Sequence, residues 1–544
     1  MTGIMYKLRS MKYVNIWVGM ILLLLAWGCA DDKGNYDYKD INKLEISGID
    51  GDNWYRKISH ADTLKIYPEI KNLMTRKSEG EYDYSWKLIP SDADVSHGDD
   101  TLNYVVATTK DLELPVTQKA GKYMGYFNVK DQETGVTWTQ KFYLQVSTLT
   151  SEGWMVLCEQ DEQARMDMIV NIDENTDVIS RDIWSEDEFD SGKPMNLFFN
   201  YAESYNGGPQ TTFVCEKGTY ILDREDLHVG EDNNIRWTFG AQPERILVQG
   251  SGISVNSWVH TGPGIYDGVD YPLYWVLVDE VGDVYLNTVS ELGGLFDLTV
   301  NTIDGQKFKA APFVANAYNY QGYGELAAAS TMLYDEAGRF VEIKAEAGRP
   351  SVMKFSGNTL FSAEQPGKEM VHLQSTVNDG LTYAVLKDNT GDYYYYGINL
   401  GTLGVNTQKY YGKISGAGID QATHFACHPV LGILFYATKD KVYRLNLKDP
   451  KDAEVLFSYP GETIKVLKFN PLVAGKQYAA WEQMRSEHLI VGTTEDELVG
   501  ENEESCGIIR MYEFSPLWDR EPVKKKEYTK LGNILNIVYK EIRR

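Results

Sequence analysis

The sequence predicts an all-β protein in which an N-terminal β-sandwich is followed by a β-propeller. Three observations indicate this fold class. Residues 41–148 contain short stretches in which apolar and polar residues alternate, with turn residues between them. From Gly153 onward, an apolar strand, a short polar turn and a second strand recur seven times. Tyr, Trp and Phe make up 12% of the chain, as in strand-rich proteins, and helical periodicity is scarce outside 476–485.

Composition and net charge exclude nucleic acids as partners. The 544 residues carry a formal net charge of −25, so phosphate backbones and anionic lipid surfaces repel the chain. Hydrophobic residues at 43% and charged residues at 24% are ordinary values for a globular protein with a buried core. The chain is too long for one small domain, which favours a repeat array or a large β-barrel for most of it.

Residues 1–28 are predicted to form a lipoprotein signal peptide. Three basic residues precede an apolar run from Ile16 to Trp27. This run is shorter than the roughly 20 residues that a membrane-spanning helix needs. A short apolar segment after a basic flank is typical of a secretory signal. No other segment of the sequence is apolar for long enough to cross a membrane, so we expect a lipid to be the anchor.

Cys29 is the predicted lipidation site. Residues 26–29 read Ala-Trp-Gly-Cys and resemble a bacterial lipobox, in which the cysteine thiol takes a diacylglycerol and becomes the new N-terminus. The tryptophan is unusual in that motif. Asp31 and Asp32 follow and resemble the surface-export signal of Bacteroidetes lipoproteins, so residues 29–40 are predicted to be an acylated tether. A plain signal peptide with a chance cysteine is the alternative.

Residues 41–148 are predicted to form an immunoglobulin-like sandwich. About 100 residues with regularly spaced strands and a central tryptophan, Trp86, suit that fold. The segment 120–131 resembles the late strands of a PKD domain. The acidic-glycine loop that follows the tryptophan in PKD domains is missing, because Trp86 runs into Lys-Leu-Ile-Pro at 87–90. The prediction is therefore a PKD-like sandwich.

Residues 150–544 are predicted to form the propeller, with seven blades favoured over six or eight. Seven units give roughly 55 residues per unit, near the kelch repeat length. One unit cannot bury both of its faces, so radial stacking is the natural arrangement, and a set of unrelated hairpins is the alternative. We expect the strand pattern at 531–539 to join the first blade and close the ring. The hairpins lie at 154–169, 212–222, 274–286, 331–343, 382–398, 432–445 and 488–514.

Several motifs in a specific order resemble the PKD-like lipoprotein family of Bacteroidetes. They are Cys29 followed by the segment 32–38 (Asp-Lys-Gly-Asn-Tyr-Asp-Tyr), Tyr-Ser-Trp at 84–86, Gly-Trp-Met-Val-Leu at 153–157, and the tail 532–539. The likeness covers nearly the whole chain. It implies an accessory lipoprotein of the outer membrane, facing the cell exterior beside a SusC/SusD-like importer and helping to capture nutrients.

No catalytic motif stands out in the sequence, so we predict that the chain is not an enzyme and uses no cofactor. It lacks a G-x-S-x-G elbow, an H-E-x-x-H pair and a phosphate-binding glycine loop. Acidic runs such as 185–190 are more typical of solvated loops than of a catalytic carboxylate pair or a calcium loop. His424 and His428, on either side of Cys427, would lie about 13 Å apart on a strand, so no metal is predicted.

Four cysteines follow the predicted lipidation site, at Cys158, Cys215, Cys427 and Cys506. They are far apart and show no CxxC spacing, which argues against a metal cluster or a disulfide-dense scaffold. The apolar neighbours of the first three favour buried strand positions, while Cys506 has more polar neighbours. The sequence leaves open whether any two of them pair.

Two segments rich in aromatic residues and glycine, 258–271 and 317–324, are the predicted ligand-binding loops. Exposed Tyr and Trp side chains supply rigid contact area with a polar tip, which both sugars and protein partners use. Propeller ends bind through such loops, and packing of these rings between blades is the alternative. The candidate binding residues are Trp258, Tyr266, Tyr318, Tyr320 and Tyr323.

The function predicted from these features is that of a surface lipoprotein without catalytic activity. It would bind oligosaccharide or peptide cargo, dock on SusC/SusD-like importer subunits, or do both. A surface glycoside hydrolase or lyase is one alternative, and it would need two carboxylates facing each other across the central channel, about 5–10 Å apart. A structural adaptor that binds only other proteins is the other.

Overall fold

The computed structural model describes most of the chain between residues 43 and 541. The described residues are 43–73, 81–91, 104–185, 189–200, 210–254, 274–288, 295–296, 298–316, 330–344, 348–376, 378, 380–401, 405–472, 479–516 and 520–541. The predicted signal peptide 1–28, the lipidation site Cys29 and the tether 29–40 lie outside them.

The N-terminal strands form a β-sandwich. One sheet has five strands in the order β2-β9-β8-β5-β6, and β1-β4 and β3-β7 form two further pairs. The pairing of β2 with β9 is parallel. The strands are β1 (Leu44–Ser47), β2 (Trp54–Ile58), β3 (Thr63–Ile66), β4 (Glu69–Asn72), β5 (Tyr82–Pro90), β6 (Val105–Ala107), β7 (Leu112–Pro115), β8 (Gly121–Asp131) and β9 (Thr137–Ser147).

Trp86 lies at the centre of the sandwich core. Its side chain is fully buried, and its ring centroid is 4.2 Å from that of Phe127 and 5.8 Å from that of Phe142. The indole Nε1 donates a hydrogen bond to the Thr109 carbonyl at 2.9 Å, so the polar atom of this large ring is satisfied within the core. The tryptophan therefore occupies the central position that the sequence predicts.

The rest of the chain is a β-propeller. Its strands are β10 (Gly153–Gln160), β11 (Gln163–Asn171), β12 (Asp177–Ser180), β13 (Pro194–Asn200), β14 (Gln210–Cys215), β15 (Gly218–Ile221), β16 (Val248–Ser254), β17 (Tyr274–Asp279), β18 (Val284–Thr288), β19 (Thr302–Ile303), β20 (Gln306–Lys307), β21 (Ala315–Asn316), β22 (Ser330–Tyr334), β23 (Phe340–Lys344), β24 (Pro350–Val352), β25 (Phe355–Ser356), β26 (Lys368–Ser375), β27 (Leu381–Asp388), β28 (Tyr393–Asn399), β29 (Asn406–Lys413), β30 (His424–Cys427), β31 (Ile433–Ala437), β32 (Lys441–Asn446), β33 (Glu454–Ser458), β34 (Glu462–Lys468), β35 (Leu489–Glu495), β36 (Gly507–Glu513), β37 (Val523–Leu531) and β38 (Asn533–Lys540).

These strands make seven sheets of three to five strands, and β19 and β20 form a separate small hairpin. In each of the seven predicted hairpins, the structure has two strands that pair antiparallel with each other within one of these sheets. The sheets are sheet 1 (β12-β11-β10-β38), sheet 2 (β13-β14-β15), sheet 3 (β16-β17-β18), sheet 4 (β21-β22-β23-β24), sheet 5 (β25-β29-β28-β27-β26), sheet 6 (β30-β31-β32-β33) and sheet 7 (β34-β35-β36-β37).

The inner strands of the sheets form a closed ring. β38, β13, β16, β21, β26, β30 and β34 each contact the next, and β34 contacts β38 again. β38 pairs antiparallel with β10, so the last strand of the chain completes the first sheet, as the sequence predicts. The Tyr539 ring meets the Trp154 ring at 5.0 Å across this pairing.

Helices are short, and one of them joins the sandwich to the propeller. An α-helix spans Ala480–Gln483 and a 3₁₀ turn spans Met484–Glu487. Arg56 of β2 lies 3.6 Å from the buried Glu482 carboxylate and 5.9 Å from the Trp481 ring. Among the residues that the structure describes, no helix has the length and apolar character needed to cross a membrane.

Candidate functional site

A cavity of about 490 Å³ lies at the centre of the ring of inner strands. Its walls come from β13, β16, β26, β34 and β38, with residues 312–314 before β21 and residues 423–425 at the start of β30. An inner strand has a sheet partner on one edge only, so its other edge and part of its side chains remain free to face the cavity. The volume falls within the roughly 300–1,000 Å³ typical of small-molecule sites.

Sheets 5, 6 and 7 give the cavity a basic wall. His372 comes from β26, His424 from β30, and Lys465 and Lys468 from β34. Burial lowers the pKa of His372 to about 4. A hydrogen bond with Gln374 opposes this decrease, and the nearby His424 and Lys468 add smaller contributions to it. That mutual effect places the three groups close enough for their charges to interact.

Lys468 is an ammonium group held in a mostly protein environment. Its Nζ donates a hydrogen bond to Asn536 Oδ1 on β38 at 3.3 Å. The side chain is half-buried, and its exposed part faces the cavity. Burial lowers the pKa of Lys468 to about 8, since desolvation disfavours the charged form. At neutral pH most Lys468 side chains therefore still carry a proton.

The two histidines of the basic wall are neutral at pH 7. Burial lowers the pKa of His424 as well as that of His372. His424 Nδ1 lies 2.9 Å from Thr423 Oγ1. The Nε2 atom of His372 is buried and has no hydrogen-bond partner among the described residues. A buried polar atom without a partner is costly.

Sheets 1, 2 and 3 present amides and a hydroxyl at the cavity. Asn536 Nδ2 donates to Asn196 Oδ1 at 2.7 Å, which links β38 to β13. Asn200 Nδ2 donates to Ser251 Oγ at 2.7 Å, which links β13 to β16. Trp275 Nε1 donates to the same Ser251 oxygen at 2.9 Å. These bonds fix polar side chains where hydroxyl or carbonyl groups of a ligand would meet them.

A carboxylate stands among the lining residues at Glu541, directly after β38. It is buried and already interacts with another group. Among the described lining residues it is the sole carboxylate. The carboxylate pair across the channel that a glycoside hydrolase would need is therefore not formed by these residues.

The candidate binding residues from the sequence, Trp258, Tyr266, Tyr318, Tyr320 and Tyr323, lie outside the described residues. Segments that line the cavity nevertheless precede both predicted loops in the chain. β16, which supplies Gln249 and Ser251, ends at Ser254, and β21 follows the lining segment 312–314. Both predicted loops are thus direct continuations of chain segments at the cavity.

The two histidines beside Cys427 face different surroundings. His424 lines the cavity, whereas His428 is buried, with its ring 5.1 Å from the Phe469 ring and 5.8 Å from the Phe514 ring. Among the described residues, no group of three His, Cys, Asp or Glu side chains is placed to hold a metal ion. The cysteines Cys158, Cys215, Cys427 and Cys506 are free and buried.

Sequence reasoning missed Lys468 and His372. The available signal is that Lys468 interrupts an apolar run, since Val466, Leu467 and Phe469 around it are all buried. A charged residue inside a buried strand often marks a site. His372 has no such signal, because its place at the cavity follows from the order of strands in the ring.

A model of the PKD-like family matches residues 29–196. The chain therefore contains a PKD-like family region, which confirms that part of the resemblance seen in the sequence. The match extends beyond the predicted sandwich 41–148, through β10, β11 and β12 to the first residues of β13. A search of curated proteins found no match to the chain.

Solved structures similar to this chain include propeller-type proteins at low identity. A quinonprotein alcohol dehydrogenase-like protein from Bacteroides thetaiotaomicron is 12% identical, with 89% of this chain and 96% of that chain covered and a TM-score of 0.36. The periplasmic gluconolactonase of Pseudomonas aeruginosa is 11% identical, with 72% and 99% covered and a TM-score of 0.39. YCF48 from Cyanidioschyzon merolae is 11% identical, with 64% and 94% covered and a TM-score of 0.31.

These matches correct the prediction that the chain is not an enzyme. Two of the similar structures bear the names of an alcohol dehydrogenase-like protein and a gluconolactonase. The absence of familiar catalytic motifs from the sequence is therefore insufficient ground for excluding catalysis. Identities of 12% and 11% concern the fold alone, and they assign no activity to this chain.

Proposed function

We propose that this chain is a lipid-anchored protein of the bacterial outer-membrane surface, which binds cargo in the central cavity of its propeller and docks on a SusC/SusD-like importer. The cavity is the observation that carries the proposal. It has a volume of about 490 Å³, amide and hydroxyl groups from sheets 1, 2 and 3, and basic groups from sheets 5, 6 and 7.

The N-terminal sequence supports the proposed location. An apolar run after a basic flank ends at Cys29, and Asp31 and Asp32 follow it. The resemblance to PKD-like lipoproteins of Bacteroidetes associates such a start with SusC/SusD-like importers. The sandwich stands between this anchor and the propeller in the chain, and Arg56 connects it to Glu482 beside the ring. We infer that the sandwich lifts the cavity away from the membrane.

The lipid anchor is tested by metabolic labelling of the full chain with radioactive palmitate. We expect label on the wild type and none on Cys29→Ser, because the serine hydroxyl does not replace the thiol in lipidation. Protease treatment of intact cells should degrade the wild-type protein, as expected of a protein that faces the exterior. Equal labelling of both proteins, or full protection from protease, would contradict the proposed location.

The importer association is tested by affinity purification of the full chain from solubilised membranes, followed by mass spectrometry. We expect importer subunits to co-purify with a tagged chain and to be missing from the same procedure on untagged cells. If no importer subunit is enriched, docking on the importer is wrong. The binding of cargo is tested separately, by the equilibrium binding experiment that follows.

The cargo site is tested by equilibrium binding of oligosaccharide and peptide pools to the full chain. Gln249 lines the cavity, so a Gln249→Trp variant should fill part of that space and weaken binding. Gln132→Trp is the matched control, since Gln132 is exposed on the sandwich. If both variants bind as the wild type does, the cargo does not occupy the cavity.

A further inference from the structure

Basic side chains are concentrated in the cavity of a strongly acidic protein. The chain has 78 acidic and 53 basic residues. Residues drawn at random from this sequence to line a cavity would therefore include more carboxylates than basic groups. The described lining instead contains Lys465, Lys468, His372 and His424, with Glu541 as its carboxylate. The four basic side chains come from three consecutive sheets, which places them together on one side of the ring.

Lys468 is the basic group best placed to receive a negative charge. It bonds to the neutral Asn536 at 3.3 Å, which is long for a hydrogen bond to an ammonium. No ion pair with a carboxylate is formed by Lys468 among the described residues. Other lysines of this chain do form such pairs, for example Lys439 with Asp496 at 2.7 Å. The ammonium in the cavity is therefore left with protein amides as its partners.

The remaining walls match a ligand with several hydroxyl groups. Asn196, Asn200, Gln249 and Ser251 come from two neighbouring sheets and supply both donors and acceptors. Amide side chains can donate to one hydroxyl oxygen and accept from another, as recognition of vicinal hydroxyls requires. This polar side and the basic side face the same space of about 490 Å³.

We infer that the cavity binds a hydroxylated carboxylate of the sugar-acid class, with the carboxylate on Lys468 and the hydroxyl groups on the polar side chains of sheets 2 and 3. The inference rests on the proposed binding of cargo in this cavity and narrows its chemistry. A hydrogen bond between an ammonium and a carboxylate is roughly twice as strong as one between neutral groups. Water screens charges less inside the ring than in bulk solvent, which strengthens the interaction between the Lys468 ammonium and the carboxylate further.

The pH dependence of binding follows from the groups around Lys468. His372 and His424 face it from β26 and β30, Lys465 lies on the same strand, and Glu541 follows β38. The pKa of Lys468 is about 8 in the absence of a ligand, so the ammonium is lost as the pH rises above that value. Affinity for a carboxylate should therefore decrease from pH 8 upward, while affinity for a neutral sugar should not follow that decrease.

The test is calorimetric titration of the full chain with D-glucuronate and D-galacturonate, and with D-glucose and D-galactose as neutral counterparts. We expect the uronates to bind at least about tenfold more tightly than the neutral sugars at pH 7. Lys468→Gln should remove that preference. Lys439→Gln, which makes the same change of charge outside the cavity, should keep it. The unfolding temperature of each variant verifies that it is folded, and Lys465→Gln provides a second variant of the basic wall.

The possible results separate this inference from the proposed function. If neutral sugars bind as tightly as uronates and Lys468→Gln has no effect, the sugar-acid class is wrong and the cavity remains a cargo site. If neither uronate binds, the inference is overturned as well, and the experiment with oligosaccharide and peptide pools decides the proposed function separately. If Lys439→Gln loses the preference as strongly as Lys468→Gln, the effect comes from net charge and the assignment to the cavity fails.

Discussion

Lys468 makes the stability of the fold depend on pH in a particular direction. Its pKa is lowered by burial from an ordinary 10.5 to about 8 in the folded protein. Below pH 8 both the folded and the unfolded chain hold the proton. Between pH 8 and 10.5 the unfolded chain binds a proton that the folded chain has released, so this group makes the free energy of unfolding rise with pH.

The first prediction is that the wild type gains stability relative to Lys468→Met as the pH rises from 8 to 10.5. Urea unfolding of both proteins at several pH values measures this difference. Lys439→Met is the control, because the hydrogen bond with Asp496 raises the pKa of Lys439, and its contribution is lost rather than gained at high pH. A difference between wild type and Lys468→Met that stays constant over this range would contradict the assignment.

At the scale of elements, three hairpins of the propeller use the same turn. An aspartate Oδ1 accepts the backbone N–H four residues later, at 2.8, 2.8 and 3.0 Å. The residue before that N–H is a glycine with φ of 83°, 82° and 92°, a conformation in which a side chain is strained. The aspartate–glycine pairs are Asp279 with Gly282, Asp335 with Gly338, and Asp388 with Gly391.

The second prediction compares two of these glycines. A Cβ atom at Gly338 would lie 2.5 Å from the Gln365 carbonyl oxygen, whereas nothing lies within 4 Å of one at Gly391. Gly391→Ala should therefore cost only the backbone strain, about 1–2 kcal/mol. Gly338→Ala should cost about 1–3 kcal/mol more, because the backbone at Gln365 and Pro366 must move. Chemical unfolding of the two variants tests the order, and equal losses would show that the close approach at Gly338 is relieved easily.

Turns and hairpins were predictable from sequence because their determinants are local. Asp-Glu-Val-Gly-Asp at 279–283 specifies its turn within five residues. The cavity depends instead on the order in which distant strands meet. His372 and Lys468 are separated by nearly a hundred residues and come together only because β26, β30 and β34 are consecutive in the ring. No local pattern contains that information. The hairpins can therefore be predicted from the sequence, whereas the basic wall of the cavity cannot.

At the scale of the whole molecule, the sequence shows a change of strand pattern between the sandwich and the propeller, but it does not show the contact between them. The sandwich strands end at Ser147 and the first propeller strand begins at Gly153, where the strand pattern changes. The PKD-like match covers both sides of that boundary. Arg56 reaches Glu482 from far away in the chain, and Tyr539 OH donates to Glu152 at 3.0 Å. These contacts connect the sandwich, the linker and the closing strand.

Closure of the ring depends on a buried carboxylate near its seam. Asp167 on β11 is fully buried and pairs with Arg165, with Oδ1 at 2.8 Å from Nε. Its Oδ2 accepts the Gly532 backbone N–H at 3.1 Å, and its Oδ1 accepts that of Asp182 at 2.8 Å. Gly532 directly precedes β38, so one side chain connects the start of the propeller with its last strand.

The third prediction is that Asp167→Ala destabilises the propeller by about 3–5 kcal/mol, because it leaves the Arg165 charge buried without its partner. Chemical unfolding measures the loss, and hydrogen exchange locates it. Amides of β38 and β10 should lose protection before those of sheets 4 to 6, since the seam joins the two ends of the chain.

Asp190→Ala is the control, because the Asp190–Lys217 pair is exposed on both sides and exposed pairs contribute little. If Asp167→Ala is no less stable than Asp190→Ala, or if protection falls evenly around the ring, closure does not depend on this carboxylate.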